Sequence, residues 1–320
     1  MRTMENGMAS GIVVLNKPPG MTSQQAVSRV KRLLYARKAG HSGSLDPAVT
    51  GVLPVFLGSA TRLSEYVTQE RKKYAGEVCF GRATDTQDAT GAIAARGDAS
   101  TVDEASVRRA ALRLTGDVWQ TPPAYSAVKV SGVRSYALAR RGEPVALEPR
   151  LIRVDRLEFF SFTREAEEFR ARFLIECGKG TYVRTICHDL GILVGVPAHM
   201  SELVRLSSGP FSLEDAVEFG ALEDLRERAI LPSWRDVAHL PQLSVGEQCL
   251  RAVSCGAPFD LPEEQARDAG VSAASGQSLV RVHSEQSGEL VAIYRVAGDG
   301  ATLRLAAEKV LIDGSGGHLQ

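Results

Sequence analysis

Gly40-His41-Ser42-Gly43-Ser44-Leu45-Asp46-Pro47 is the segment whose composition best suits chemistry. Its glycines let a backbone approach a ligand closely, and Asp-Pro turns the chain. Asp46 has two readings there. As a turn residue it ties its carboxylate to nearby amides, the commoner fate of an isolated Leu-Asp-Pro. As a chemical group it is a carboxylate in a basic, glycine-rich loop beside an apolar strand. Next to an arginine such a carboxylate stays ionised and can serve as nucleophile or base. Composition alone leaves both open.

Other chemistries have less support. The five cysteines (79, 177, 187, 249 and 255) include no C-x-x-C pair and no zinc-ligand spacing. Hydrophobic residues are 44% and charged residues 24% of the 320, a globular make-up that excludes a largely disordered chain. The longest uncharged stretch, Pro47 to Thr61, is shorter than the ~18 residues of a membrane span. With no export signal at its start, the chain is expected in a reducing cytoplasm. Net charge is zero, but it is unevenly divided. Residues 1–160 carry 23 Lys/Arg against 15 Asp/Glu, and residues 161–320 carry the reverse. The basic half contains two acid-free stretches. One holds Lys17, Arg29, Lys31, Arg32, Arg37 and Lys38; the other holds Lys129, Arg134, Arg140 and Arg141, with Tyr125 and Tyr136 among them. Such a distribution fits a polyanion, although a solvated basic face would look the same.

The elements that must position these groups follow from the pattern. Gly11 to Asn16 reads as a buried strand ended by Lys17-Pro18-Pro19-Gly20. Thr22 or Ser23 can then cap a helix whose apolar face is Ala26, Val27, Val30, Leu33 and Leu34. An apolar stretch spans Val52 to Leu57, Tyr74 to Phe80 alternates like a strand, and Thr101 to Leu114 is amphipathic. From Ala124 the pattern is strand, a Ser131-Gly132 turn, and a basic helix to Gly142. Leu151–Phe162 and Glu168–Cys177 read as a hairpin with Phe169, Ala171, Phe173 and Ile175 on one face. Gly178-Lys179-Gly180 turns into a helix near Thr181. Helices inserted among hairpins favour an α+β fold over a doubly wound sheet. Beyond a break at 239–244, residues 278–284, 289–296 and 302–311 alternate as short strands, with Gly298-Asp299-Gly300 between the last two, and predict a small β domain.

Seven segments in colinear order carry a resemblance. They are Asn16–Ser23 (NKPPGMTS), Gly40–Pro47 (GHSGSLDP), Lys73-Tyr74, Thr84–Asp88 (TDTQD), Pro123–Lys129 (PAYSAVK), Gly178–Ile186 (GKGTYVRTI) and Leu206–Phe211 (LSSGPF). Together, over roughly residues 11–220, they closely resemble the TruB family of tRNA pseudouridine-55 synthases. That resemblance implies an α+β catalytic domain with a mixed, mainly antiparallel sheet and a small C-terminal β-barrel of PUA-like type. The implied boundaries are a flexible tail at 1–10, a catalytic domain at 11–240 with an RNA-clamping insertion at about 118–150, the β domain at 241–313 and a tail at 314–320.

The implied reaction breaks the glycosidic bond of a uridine in the tRNA T-loop and rejoins the base through C5, without metal or cofactor. The uridine must first flip out of its stack. By position in the family's motifs, Asp46 is the catalyst, attacking C1′ or removing the C2′ proton. Tyr74 stacks on the base and helps remove the C5 proton, and Arg184 pairs with Asp46. Tyr182 and Leu203 line the base pocket, and His41 helps hold the rearranged loop. Lys17 supports the loop or meets RNA. Lys129, Arg134, Arg140 and Arg141 suit the clamp. The implied partner is the tRNA T-arm, met by a monomer with no obligate protein partner. Two other classes stay open: an RNA-binding or chaperone protein without catalysis, and an aspartate-dependent nucleoside glycosidase, which needs no clamp.

Overall fold

An uninterrupted apolar run suits a strand buried on both faces, and Gly11–Lys17 (β1) is one. Val13 and Leu15 enter the larger core, while Ile12 and Val14 enter a second cluster on the opposite face. The structure is a computed structural model that describes residues 4–5, 8–130, 132–165, 167–271, 279–297 and 302–311. Ser131 of the expected turn, Gly298-Asp299-Gly300 and the 314–320 tail lie outside the described residues. So do most of the first seven residues, although Met4–Glu5 pairs with Met8–Ala9.

Thr22 caps Ser23–Leu33 (α1) through a reciprocal box with Gln25, satisfying two otherwise orphaned amides. Ala39–His41 (β2) and Thr50–Leu57 (β3) follow, then Lys72–Phe80 (β4). Glu104–Arg113 (α2), capped by Asp103, leads to Gly116–Gln120 (β5). Arg150–Glu165 (β6) and Glu168–Cys177 (β7) form the expected hairpin, with Phe169, Ala171, Phe173 and Ile175 all buried. Val183–Val194 (α3) then precedes Ala198–Ser208 (β8).

These strands make one sheet in the order β1-β3-β8-β4-β7-β6-β5, with β2 added on β3. Every pairing along it is antiparallel except β8 with β3. α2 and α3 cover one face. The chain is therefore α+β with a mainly antiparallel sheet. Within the 118–150 region, Lys129–Val130 pairs with Val133–Arg134, and a short helix spans Ser135–Ala139.

The C-terminal part is a five-stranded sheet over Gln242–Val245, Phe259–Pro262, Leu279–Ser284, Leu290–Ala297 and Thr302–Val310. It curls around its own core as a half-barrel, the form that fits a PUA-like module. Leu290, Ile293 and Leu311 leave that core and pack on Ile12, Val14, Val52 and Phe56 of β1 and β3. The two units thus share an apolar seam, which accounts for the strands of β1 and β3 being apolar on both faces.

Candidate active site

Asp46 sits in the loop joining β2 to β3, and two other elements hold that loop. Ser23, first residue of α1, clips Leu45 from both sides: its hydroxyl accepts from the Leu45 amide at 2.8 Å and donates to the Leu45 carbonyl at 3.2 Å. Lys17, at the end of β1, donates its ammonium to the carbonyls of Pro18, Met21 and Pro47 at 2.8, 2.9 and 3.1 Å. Its side chain is 0% exposed. The ammonium therefore bridges the turn after β1 and the loop that carries Asp46. Burial pushes its pKa down to about 8, against the pull of Asp46 and with Arg205 adding to the lowering.

Arg184 arrives from the first turn of α3 and is itself buried. Its Nε lies 3.2 Å from one Asp46 oxygen and its Nη2 3.4 Å from the other. The rest of the fork is fixed on backbone: Nη1 donates to Thr86 O at 3.2 Å and Nη2 to Tyr125 O at 2.7 Å. Arg184 therefore ties the aspartate, the Thr84–Asp88 motif and the root of the insertion together. Asp46 keeps 39% of its side chain exposed, so the carboxylate is both held and reachable.

Burial raises the Asp46 pKa; Arg184 pulls it back, Asp88 adds to the rise and Lys17 opposes it. The net direction is upward. Pairing with arginine was expected to keep Asp46 charged, and the pairing is there, but desolvation outweighs its effect on the titration. A carboxylate shifted in this direction is a stronger base than a surface one.

Tyr74 stands on β4 with its ring buried, directly opposite Arg205 of β8 in the sheet register. Burial raises its phenol pKa, the neighbouring Arg205 opposes the rise, and Cys177 and then Asp46 add to it. Arg205 is 1% exposed; its Nε donates to Val52 O at 2.7 Å and its Nη2 to Gly43 O at 3.1 Å. It thus joins the tyrosine, the Asp46 loop and strand β3. Gly51, at φ +101°, makes this possible, since a Cβ there would lie 2.2 Å from the Arg205 carbonyl oxygen. Leu203, two residues earlier on β8, lies over Gly76, where a Cβ would meet its Cδ1 at 2.8 Å.

His41 ends β2, half-buried, with Nδ1 lacking a partner; burial and then Arg205 lower its pKa, favouring the neutral ring. Tyr182 precedes α3. The Gln120 side chain pairs with its backbone at 2.9 and 3.1 Å, and its ring packs under the guanidinia of Arg150 and Arg184. Lys129, Arg134, Arg140 and Arg141 are exposed on the insertion and make no bond to the Asp46 cluster. Arg140 packs over Tyr136, and Arg141 is paired with Glu143 at 2.7 Å.

Three participants were not singled out from the sequence: Arg205, Asp88 and Gln120. Asp88 is buried and accepts from the hydroxyls of Thr86 and Thr90 and the Thr90 amide. Its two threonines at i−2 and i+2 are the kind of local signal that marks a carboxylate tied into a turn. No comparable local signal marks Arg205 or Gln120.

A family model described as TruB family pseudouridylate synthase (N terminal domain) matches residues 31–183, and one described as tRNA pseudouridylate synthase B C-terminal domain matches 184–233. The tRNA pseudouridine synthase B of Geobacillus kaustophilus (strain HTA426) is 44% identical over 263 residues, covering 79% of this chain and 91% of the relative. That of Bacillus velezensis (strain DSM 23117 / BGSC 10A6 / LMG 26770 / FZB42) is 38% identical over 295 residues, covering 90% and 93%. Among solved structures, a chain of a Cbf5–Nop10–Gar1 complex is similar at 28% identity and a TM-score of 0.70, covering 95% of this chain and 85% of that one. A chain from an H/ACA RNP bound to a substrate RNA containing 2′-deoxyuridine is similar at 26% identity and a TM-score of 0.67, covering 95% and 86%.

Proposed function

The chain belongs to the TruB family of tRNA pseudouridine synthases, and from that premise we propose that it isomerises uridine-55 of the tRNA T-loop to pseudouridine with Asp46 as the catalyst. The observation that carries the assignment is the Asp46–Arg184 pair, with the carboxylate partly exposed and Tyr74 close by.

The N1–C1′ bond breaks, the base turns, C5 bonds to C1′, and the proton displaced from C5 leaves as N1 takes one up. No atom is gained or lost and no oxidation state changes, so the reaction draws on no cofactor. Asp46 either attacks C1′ or removes the C2′ proton, and a carboxylate is competent for both. Arg184 fixes its orientation. Tyr74 stacks on the flipped base and assists loss of the C5 proton, while Tyr182 and Leu203 complete the base pocket and His41 holds the rearranged loop. A stacked uridine is out of reach of Asp46, so the base is extruded at about a few kcal/mol. Lys129, Arg134, Arg140 and Arg141 grip the folded arm by shape and phosphate contacts. The protein acts as a cytoplasmic monomer, its mass in solution being readable by sedimentation. Among the described residues no helix is long and apolar enough to cross a membrane.

The test is incubation with an unmodified tRNA transcript, followed by carbodiimide-directed primer extension. A stop at the T-loop uridine that vanishes with Asp46→Asn supports the reaction and its catalyst. Product at the wild-type rate from Asp46→Asn refutes the catalyst, and tight binding without any stop moves the protein to the chaperone reading.

A further inference from the structure

The proposed reaction uses the loop after β2 but not the basic residues that lead into it. Lys31 and Arg32 occupy the last turn of α1, and Arg37 and Lys38 precede β2; all four are exposed. Among the described residues none of the four has an ion pair or a side-chain hydrogen bond. Many arginines elsewhere face an acid, those at 29, 71, 82, 108, 141, 153, 156, 170, 172, 235, 267, 295 and 304. Among the described residues Arg96, Arg109, Arg113, Lys129, Arg134, Arg140 and Arg251 share the lack of one, and what distinguishes the four is their grouping around one exposed aromatic ring. On the helix Phe219–Leu225, Glu223 is spent on Arg29 at 3.2 Å, while Asp224 has no ion pair among the described residues. A fifth cation joins them: Arg226 donates Nη1 to the Leu33 carbonyl at 2.6 Å, at the C-terminal end of α1.

In the middle stands Tyr35. It is 77% exposed and holds φ at 51°, the left-handed region that bulky residues avoid. Glycine or asparagine would take that conformation at less cost. Two cations in the last helical turn are accounted for by the helix dipole. Arg37 and Lys38 lie beyond the helix, and the dipole gives no reason for a bare aromatic ring in a strained turn. Backbone strain of this kind collects at functional positions.

We propose that Lys31, Arg32, Arg37 and Lys38, with Tyr35 among them, form a second RNA-contact surface that holds the phosphate backbone of the bound tRNA away from the reacting uridine. Cations without acids suit phosphates, and an exposed ring among them suits stacking on an unpaired base or sugar. Continuity with the Asp46 loop supports the assignment. Ser23 at one end of α1 clips the Asp46 loop, and the cluster sits at the other end, about 16 Å away for eleven residues at ~1.5 Å each. Strand β2 runs back from Lys38 to His41. A strand of RNA whose uridine reaches Asp46 can therefore lay its neighbouring backbone along α1. The inference rests on tRNA being the substrate.

The experiment compares wild type with a Lys31→Ala/Arg32→Ala/Arg37→Ala/Lys38→Ala variant, titrating full-length unmodified tRNA over a range of salt. The ion-paired Arg108→Ala serves as control. Each lost phosphate contact lowers the slope of log affinity against log salt by ~0.7–0.9, so four lower it by about three. Affinity at low salt is expected to fall at least about tenfold. Tyr35→Gly relieves the backbone; it is expected to melt no lower than wild type yet bind more weakly, which a purely structural role does not produce. Wild-type slope and affinity in the fourfold variant, or wild-type affinity in Tyr35→Gly, overturn the surface or the ring's part in it. Wild type is assayed for pseudouridine on the same transcript. If it makes product while the variants bind unchanged, only this inference fails; if it makes none, the functional reading fails first.

Discussion

Replacing Arg184 by methionine removes the guanidinium from Asp46, and with it the donors to the Thr86 and Tyr125 carbonyls. Methionine keeps an apolar stem of similar length beside Tyr182, so α3 stays packed. What disappears is the fork. Its two contacts with Asp46, at 3.2 and 3.4 Å, are longer than the ~2.7–2.9 Å of a tight charge-assisted pair. Only the Nη2 contact is a hydrogen bond, and it belongs at the lower end of the ~1.5–3 kcal/mol typical of hydrogen bonds to charged groups. With the ion pair at Nε adding ~0.5–1 kcal/mol, the loss is about 2 kcal/mol, and at ~1.36 kcal/mol per decade the chemical step slows by about thirtyfold.

The pH dependence has a definite sign. Burial raises the Asp46 pKa and Arg184 is the largest opposing influence, so without the guanidinium the carboxyl holds its proton to higher pH. The acid limb of the rate profile moves up. Arg184→Lys keeps a charge but not the planar fork; its acid limb stays near wild type, while its rate falls about tenfold, between the other two. Single-turnover release of tritium from 5-tritiated uridine in tRNA, with enzyme in excess, reads the chemical step across pH. A rate for Arg184→Met within about threefold of wild type, with an unmoved acid limb, would refute the reasoning.

Lys17→Met deprives three carbonyls of their donor; about 1–3 kcal/mol of stability is lost, and kcat falls as the Asp46 loop loosens. The dissociation constant for tRNA stays within about twofold, because the ammonium never reaches solvent; a large rise in it would return Lys17 to the RNA surface. Asp236 is fully buried with neither oxygen hydrogen-bonded, and burial, with Glu70 adding, pushes its pKa up to about 8. The fold then holds a proton that the unfolded chain releases near pH 4, so wild-type stability falls by up to ~1.36 kcal/mol per pH unit between about pH 4 and pH 8. Asp236→Asn is expected to flatten that slope and raise Tm most at pH 8; equal Tm differences at pH 5 and pH 8 would count against it. In the insertion, Arg140→Glu should weaken tRNA binding more than Arg141→Glu, since Arg141 already faces Glu143; salt titrations of each variant check the order.

What could be read from the sequence was what the chain does locally. The Phe169-Ala171-Phe173-Ile175 alternation marks one face of β7 without any knowledge of its neighbours, and the hydroxyls of Thr22 and Ser23 announce the start of α1, which Thr22 caps. The parallel joint between β8 and β3 is a different matter, because nothing near Val204 says that Thr50 lies beside it. The same division runs through the site. Asp46 and Arg184 stand 138 residues apart, yet each sits in a motif, so their pairing could be anticipated. Arg205 carries no such mark: in an alternating strand an arginine reads as an outward cation. Only the register that sets it opposite Tyr74, together with the bare backbone of Gly51, turns it inward and buries it. Lys17 is hidden by the same cause, its ammonium being enclosed by carbonyls up to thirty residues away. Whether a charge is buried is decided by long-range packing, which composition does not record. The cations that shape this aspartate are therefore the least legible part of the site, while the unpaired ones around Tyr35, exposed as their composition suggests, are among the most legible.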